Sequence, residues 1–234
     1  MNKLLIIVAS LSLCFSACLG GVGSGKVVTE ERSIGSFRKV SVGSGLHLEA
    51  TAGARKLTLT TDDNVMPIVQ TFVANDTLFI QLPPSSIPPL ATVFTAELSN
   101  DVFEGIDASG GCDVRLVATG TAKFPISASG GSDVFVDGLS ASEVTMDASG
   151  GSTITIAGAS QTAEASASGG SELKLRAFPV ETMRVDASGG STVTARVSSS
   201  LTGSASGGST VSVIGTPTNR VDTSGGSRVN VNVE

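Results

Sequence analysis

The chain has 234 residues, of which 40% are hydrophobic and only 15% charged, and its formal net charge is −6. The acidic balance argues against general nucleic-acid binding, which requires a basic surface that neutralises phosphates. The hydrophobic fraction is too high for a disordered acidic chain. A single histidine leaves little scope for histidine-based acid–base or zinc chemistry.

The first segment, residues 1–17, is typical of a bacterial lipoprotein signal peptide. Lys3 gives it a basic start, and residues 4–13 are hydrophobic but too few for a transmembrane helix, which needs about 20 residues. Phe15-Ser16-Ala17-Cys18 resembles the lipobox, in which the cysteine is lipidated and becomes the new N-terminus. We therefore predict lipidation at Cys18 and membrane attachment through that lipid. The alternative is an ordinary cleaved signal peptide.

Residues 18–26 comprise the lipidated cysteine and a Gly-rich tether. Leu19 stands where an Asp would signal retention in the inner membrane, so we expect an outer-membrane lipoprotein, exposed at the surface or facing the periplasm. Cys112 is then the one remaining cysteine of the mature chain, which predicts no disulfide. It takes a repeat position that is Ser in the other copies, which indicates a small space-filling residue.

Residues 27–91 alternate strand patterns with turn signals and predict irregular first coils that cap a solenoid. Strands are predicted at residues 38–42, 46–51, 56–61, 65–73 and 78–82. Residues 83–89 are Pro-rich and predict a rigid loop that cannot form a strand.

Residues 92–234 carry repeated copies of Ser-Gly-Gly, which begin at Ser109, Ser129, Ser149, Ser168, Ser188, Ser206 and Ser224. The copies recur at nearly constant intervals of about 20 residues, a period typical of a solenoid. Apolar residues alternate after each Gly-Gly, as in Val134 and Val136, which predicts strands with one buried face. The sequence therefore predicts an all-β, single-domain parallel β-helix over residues 27–234, with one coil of about 20 residues for each repeat.

The residues before each turn form two regular columns. The position next to Ser-Gly-Gly is small and predicted to face inward, at Ala108, Ala128, Ala148, Ala167, Ala187, Ala205 and Thr223. The position before it alternates as Asp107, Ser127, Asp147, Ser166, Asp186, Ser204 and Asp222. Alternation separates like charges that would repel on adjacent coils. It predicts either a solvated hydrogen-bonded ladder or an acidic row that binds cations or a basic ligand. A coil twice as long, with Asp and Ser on opposite walls, would give the same alternation.

The front segment carries a family resemblance. Thr29-Glu30-x-Arg32 with Phe37, then Gly45-x-His47-x-Glu49, Asp63-Asn64 and Asn75-Asp76-Thr77-Leu78-x-Ile80, resembles the head GIN domain family, whose members are described as autotransporter adhesins. The resemblance extends from residue 27 to the C-terminus. It implies a right-handed β-helix and a cell-envelope location, and it implies no catalytic or binding residues.

Other kinds of site fit the sequence less well. A polysaccharide-cleaving β-helix would need clustered carboxylates and aromatic sugar platforms, whereas these acids are periodic and Trp and Tyr are absent. Calcium-binding turns would need a regular Asp, but among the repeats only Asp113 and Asp133 follow the turn. Threonine pairs such as Thr153 and Thr155 suggest an ice-binding face, yet Phe135 interrupts that row. His47 has no His or Cys partner, so we expect an exposed strand position. No catalytic residue, metal or cofactor is predicted.

The sequence therefore predicts a non-enzymatic, lipid-anchored β-helix of the cell envelope that acts in adhesion or surface binding, with a glycan or protein ligand. A periplasm-facing scaffold is the alternative, and a polysaccharide-active enzyme is the third hypothesis. Residues 228–234 predict a final strand with an open edge. Arg228, Asn230, Asn232 and Glu234 on its outer face suggest protection from pairing, so we expect a monomer.

Overall fold

The computed structural model describes residues 22–83 and 91–233. These residues form a parallel β-solenoid of about six turns with coils of about 20 residues, so the predicted fold is confirmed. The predicted signal peptide, Cys18 and residues 84–89 of the predicted Pro-rich loop lie outside the described residues. Within the described part of the chain, no helix is long and apolar enough to span a membrane.

Seventeen strands and one short 3₁₀ turn, Met66–Ile68, make up the described secondary structure. The strands are β1 (Val27–Arg32), β2 (Lys39–Val42), β3 (His47–Ala52), β4 (Lys56–Asp62), β5 (Gln70–Ala74), β6 (Thr77–Gln81), β7 (Phe94–Asn100), β8 (Gly105–Ala108), β9 (Asp113–Val117), β10 (Gly120–Ala128), β11 (Asp133–Ala148), β12 (Thr153–Ala167), β13 (Glu172–Ala187), β14 (Thr192–Ala205), β15 (Thr210–Ile214), β16 (Thr218–Thr223) and β17 (Arg228–Asn232).

Each coil has two stacked faces joined by the Ser-Gly-Gly turn. Face A holds the strands that lead into the turn, which are β6, β2, β8, the C-terminal parts of β10 to β14, and β16. Face B holds the strands that leave it, which are β7, β3, β9, the N-terminal parts of β11 to β14, β15 and β17. The long strands β11 to β14 cross from one face to the other through register shifts, for example between Val136 and Leu139.

The strand register settles the length of a coil. Ser127 pairs with Asp107 on one side and with Asp147 on the other, and the same alternation continues to Asp222. Asp and Ser therefore share one wall on successive coils. Each coil spans a single repeat, and the alternative of a coil twice as long is wrong.

The Gly-Gly turns stack directly on one another. Gly207 and Gly208 have φ values of 64° and 80°, in the left-handed region that glycine tolerates best. A Cβ on Gly207 would lie 2.9 Å from the backbone nitrogen of Gly189 in the coil below, whereas one on Gly208 would meet nothing within 4 Å. The first glycine is thus required by close approach as well as by conformation.

A buried polar column follows the turns. The residue after each Gly-Gly is almost fully buried at Cys112, Ser132, Ser152, Ser171, Ser191 and Ser209. Its hydroxyl donates to a backbone carbonyl, as in the 2.8 Å bond from Ser132 Oγ to the Ser129 oxygen, and Cys112 Sγ lies 3.1 Å from the Ser109 oxygen. Cys112 therefore fills a serine position, as the repeat indicates. Burial raises the pKa of its thiol.

The core is narrow and mostly aliphatic. Six of the seven predicted small inward residues are buried, from Ala108 to Ala205. The largest fully buried side chains are Phe103, Phe124 and Phe178. Thr223 pairs in register with Ala205 and so continues the inward column, but it is exposed because no further coil within the described residues covers it. Val229 and Val231 are only partly buried for the same reason.

The front segment adds antiparallel strands to one end of the solenoid. Strand β4 pairs antiparallel with both β1 and β7, and β5 with β6, while β6 and β7 stack in parallel on β2 and β3. The predicted strand over residues 65–73 is wrong in its first half, which contains the 3₁₀ turn with Pro67. The strand β1 had no counterpart among the predicted strands.

Asp62 links distant parts of the front segment through hydrogen bonds. It is completely buried, and its two carboxylate oxygens accept the backbone N–H groups of Gly25 at 2.8 Å and Thr92 at 2.7 Å. Burial by itself would raise the pKa of Asp62, but these N–H donors outweigh it and hold the pKa below the ordinary value.

Candidate functional site

The predicted acidic ladder lies on the outside of face A. Its members stack on successive coils, with Asp107, Asp147, Asp186 and Asp222 separated by serines. The column also continues one coil further towards the front segment than the repeats indicate, because Ser41 pairs with Asp107.

The contacts of the ladder are those of a hydrogen-bonded surface. Ser204 Oγ donates to Asp186 Oδ1 at 2.8 Å, and Ser41 Oγ donates to Asp107 Oδ2 at 3.3 Å. Arg184 adds an ion pair with Asp186 at 2.9 Å. Serine donors thus stand between carboxylates about 9.6 Å apart, twice the strand spacing. In the part of the chain that the structure describes, no group of three His, Cys, Asp or Glu residues could hold a metal ion.

Face B carries two adjacent outward columns of mixed charge. The first contains His47, Asp113, Asp133, Thr153, Glu172, Thr192, Thr210 and Arg228. The second contains Glu49, Arg115, Phe135, Thr155, Lys174, Thr194, Ser212 and Asn230. Alternation along each strand places these residues outward, and stacking in register aligns them from coil to coil.

A charged cluster lies where the two columns cross β3 and β9. His47 Nδ1 is 3.0 Å from Asp113 Oδ2, and His47 Nε2 is 3.1 Å from Glu49 Oε1. Arg115 Nε lies 3.6 Å from the same Glu49 oxygen. His47 is on an outward strand position, as expected, and about a third exposed. Its partners are carboxylates from its own strand and from the next coil.

A surface depression opens beside this cluster. It has a volume of about 500 Å³ and is lined by Asp113, Arg115, Asp133, Val134, Phe135, Thr153, Thr155 and Lys174. Phe135 is 41% exposed, a large apolar side chain among polar ones. The depression is wide and open, so it suits contact with an extended surface or chain better than enclosure of a small substrate.

The local sequence explains why these groups meet. The turn Ser109-Gly110-Gly111-Cys112 comes directly before β9. Gly43-Ser44-Gly45-Leu46 makes the equivalent turn before β3, with φ of 69° at Ser44 and 75° at Gly45. His47 and Asp113 therefore occupy the same position on adjacent coils. The repeat frame does not detect the first turn because Ser44 replaces a glycine, although Gly-Ser-Gly is itself a turn signal.

Fold and surface together define a class of protein: a parallel β-solenoid whose outer faces are polar, regular and open. The family model described as "Putative auto-transporter adhesin, head GIN domain" matches residues 36–217, and the chain belongs to this family. This confirms the resemblance carried by the front segment. A search of curated proteins found no match.

Solved structures share the fold at low sequence identity. A putative adhesin from Bacteroides fragilis NCTC 9343 has a TM-score of 0.81 and 17% identity, covering 90% of this chain and 99% of its own. A putative lipid binding protein from Parabacteroides distasonis ATCC 8503 has a TM-score of 0.70 and 14% identity, covering 90% and 98%. A putative adhesin from Parabacteroides merdae ATCC 43184 has a TM-score of 0.70 and 15% identity, with the same coverage.

Proposed function

We propose that this protein is a non-enzymatic adhesion module of the cell envelope, and that face B binds a glycan or protein on another surface. The observation that carries the proposal is the open depression beside Phe135, which spans several coils and combines an exposed aromatic ring with charges of both signs. An aromatic face packs against sugar rings or apolar side chains, while the surrounding charges confer specificity.

The comparisons support the same class of function. The family description names adhesins, and two of the structures described above are also called adhesins. An adhesin-like family favours a cell-envelope or surface location for this chain.

The arrangement of acids supports a binding role over catalysis. On face A the carboxylates are spaced by serines, and on face B His47 and Arg115 both contact carboxylates. A glycosidase needs two carboxyl groups facing one bond across a cleft, with one of them held protonated. Neither column provides such a cleft among residues 22–83 and 91–233.

The attachment to the envelope is proposed to be a lipid on Cys18. It is supported by the lipobox-like Phe15-Ser16-Ala17-Cys18 and by the Gly-rich segment that follows. Cys18→Ser should move the protein from the membrane fraction to the soluble fraction and abolish labelling with an alkyne fatty acid. Cys14→Ser is the matched control and should change neither. Equal labelling of both variants would contradict lipidation at Cys18.

Binding through face B is tested with substitutions that the columns themselves suggest. Phe135 pairs with Thr155 on the next coil, and Lys174 pairs with Thr194 on the next coil. Because threonine already fits this column, Phe135→Thr and Lys174→Thr should preserve the fold. Lys123→Thr, on the other side of the coil next to Glu143, is the matched control. The purified chain from residue 19 onwards would be applied to arrays of glycans and extracellular-matrix proteins.

We expect Phe135→Thr to weaken binding to the captured ligand about thirtyfold, since a buried aromatic anchor contributes on the order of 2 kcal/mol. Lys123→Thr should leave it unchanged. Binding that is insensitive to both face B substitutions would refute the assignment of this face. A protein that binds no surface ligand and is hidden in intact cells would favour the periplasmic scaffold.

A further inference from the structure

The last described coil contains two strands that are each paired on one side only. Strand β16 stacks on β14 and β17 stacks on β15, and neither has a second partner within the described residues. The inward side chains of Val221, Val229 and Val231 remain partly exposed, whereas Val211 and Val213 one coil below are fully buried. Unpaired backbone groups beside an incompletely covered core favour pairing with another strand.

We propose that this end is a docking surface for a second copy of the chain, joined tail to tail about a twofold axis. The twofold axis would be perpendicular to the long axis of the solenoid and would pass through both faces. It would place β16 antiparallel to β16 of the partner subunit, and β17 antiparallel to β17 of the partner subunit. Val221 is the third residue before Ser224, and Asn230 is the third residue after Ser227. Both therefore lie at the same distance from the turn, and a single axis passes close to both.

The sequence of β16 is self-complementary about that axis. With Val221 opposite Val221 of the partner subunit, Arg220 lies opposite Asp222 of the partner subunit, and the reciprocal pair forms by symmetry. Arg220 and Asp222 are outward, because they continue the columns of Arg184 and Asp186 on face A. Opposite charges on directly facing residues stabilise an antiparallel pair.

The sequence of β17 fits the same axis. Val229 lies opposite Val231 of the partner subunit on the core side, which covers the apolar end of both solenoids. On the outer side Asn230 lies opposite Asn230 of the partner subunit, where two amides can bond to each other. Arg228 lies opposite Asn232 of the partner subunit, so no like charges face one another.

The two charges of β16 are also available for this contact. Two coils deeper in the same columns, Arg184 Nη2 and Asp186 Oδ2 form an ion pair at 2.9 Å. Within the described part of the chain, Arg220 and Asp222 form no ion pair with each other or with a neighbour. Arg228, Asn230 and Asn232, which in the sequence suggest a protected edge, therefore face compatible residues once a second copy is aligned. We expect a dimer, whereas the sequence alone predicts a monomer.

The test is sedimentation velocity of the chain from residue 19 onwards over a wide range of concentrations. We expect a reversible dimer. Arg220→Asp should weaken it about tenfold or more, because two symmetry-related attractions become repulsions. The double variant Arg220→Asp with Asp222→Arg exchanges the partners and should restore the dimer. Arg184→Asp, the equivalent change two coils deeper, is the control and should not affect dimerisation.

Circular dichroism of each variant checks that the fold is retained. A chain that is monomeric at every concentration would overturn the proposal. A dimer that Arg220→Asp leaves unchanged, or that the folded double variant does not restore, would overturn it as well. The measurement needs no ligand, so its result is independent of the proposed adhesive function.

Discussion

Adjacent glycines of one turn should respond differently to the same substitution. Both Gly207 and Gly208 have left-handed backbone conformations, with φ of 64° and 80°. An alanine in either place costs about 1–2 kcal/mol for that conformation, offset by about 0.4–1 kcal/mol from the reduced freedom of the unfolded chain. These contributions are common to the two variants and cancel in their difference.

The difference comes from the stacking of the turns. At Gly207 the added Cβ would lie 2.9 Å from the Gly189 nitrogen and 3.5 Å from its Cα, and both atoms belong to backbone that cannot rotate away. At Gly208 the Cβ would point into open space. Forcing an extra carbon into a packed contact costs about 1–3 kcal/mol. Gly207→Ala should therefore be less stable than Gly208→Ala by about 1–3 kcal/mol.

Urea unfolding of the chain from residue 19 onwards, followed by circular dichroism, measures this difference directly. Asparagine tolerates the left-handed region, so it separates the two causes. Gly208→Asn should approach the stability of the unsubstituted chain, while Gly207→Asn should remain destabilised by the contact. Equal stabilities for Gly207→Ala and Gly208→Ala would refute the reasoning that the first glycine of each turn is fixed by the coil below.

Buried and stacked polar groups support three further predictions. The pKa of Asp62 is lower in the folded than in the unfolded chain, so its contribution to stability is present above the ordinary aspartate pKa of about 3.9 and is lost as the pH falls through the folded value. In urea unfolding measured across acid pH, Asp62→Asn should therefore flatten the pH dependence of stability. An unaltered pH profile in this variant would contradict the role of Asp62. Cys112 should resist a thiol reagent such as DTNB in the folded chain and react only in urea, because its thiol is buried and the pKa of that thiol is raised. Rapid labelling of Cys112 in the folded chain would be inconsistent with that burial. Ser204→Asp would place carboxylates on three consecutive coils, together with Asp186 and Asp222, and should lower stability by roughly 0.2–1 kcal/mol for each adjacent pair. In thermal melts this loss of stability should be smaller at high salt than at low salt, because salt screens the repulsion. A loss of stability that does not depend on salt would point to another cause.

The repeat made the solenoid predictable because its constraints are local and periodic. Small inward residues such as Ala128, the paired glycines and the period-2 valines each restrict a coil in the same way, so their agreement specifies the architecture. The register of the Asp and Ser ladder did not follow from the sequence, since alternation alone fits a coil of one repeat or of two. The strand pairing of Ser127 with Asp107 and Asp147 supplied the answer.

The front segment was predicted less well because its partners are distant in sequence. β1 pairs antiparallel with β4, and Asp62 holds both Gly25, far before it in the chain, and Thr92, far after it. The sequence shows Asp62 only as part of a polar turn. Such non-local contacts leave no periodic pattern for local propensity to detect.

The candidate site on face B was missed for a related reason. His47 comes from the front segment and Asp113 from the repeats, and the two meet only because an irregular Gly-Ser-Gly turn stacks in register with a Ser-Gly-Gly turn. Phe135 appears in the sequence as an interruption of a threonine row. On the surface it is the exposed ring of an open, charged depression.

The most direct test of the proposed adhesive function is the accessibility of the protein in intact cells. An epitope tag after Glu234 would be stained with antibody in unpermeabilised cells, with permeabilised cells as the control and protease shaving as a second readout. The proposed function predicts strong labelling before permeabilisation and loss of the tag on shaving. A protein that stays unlabelled and protected until the cells are lysed would contradict a role in surface adhesion.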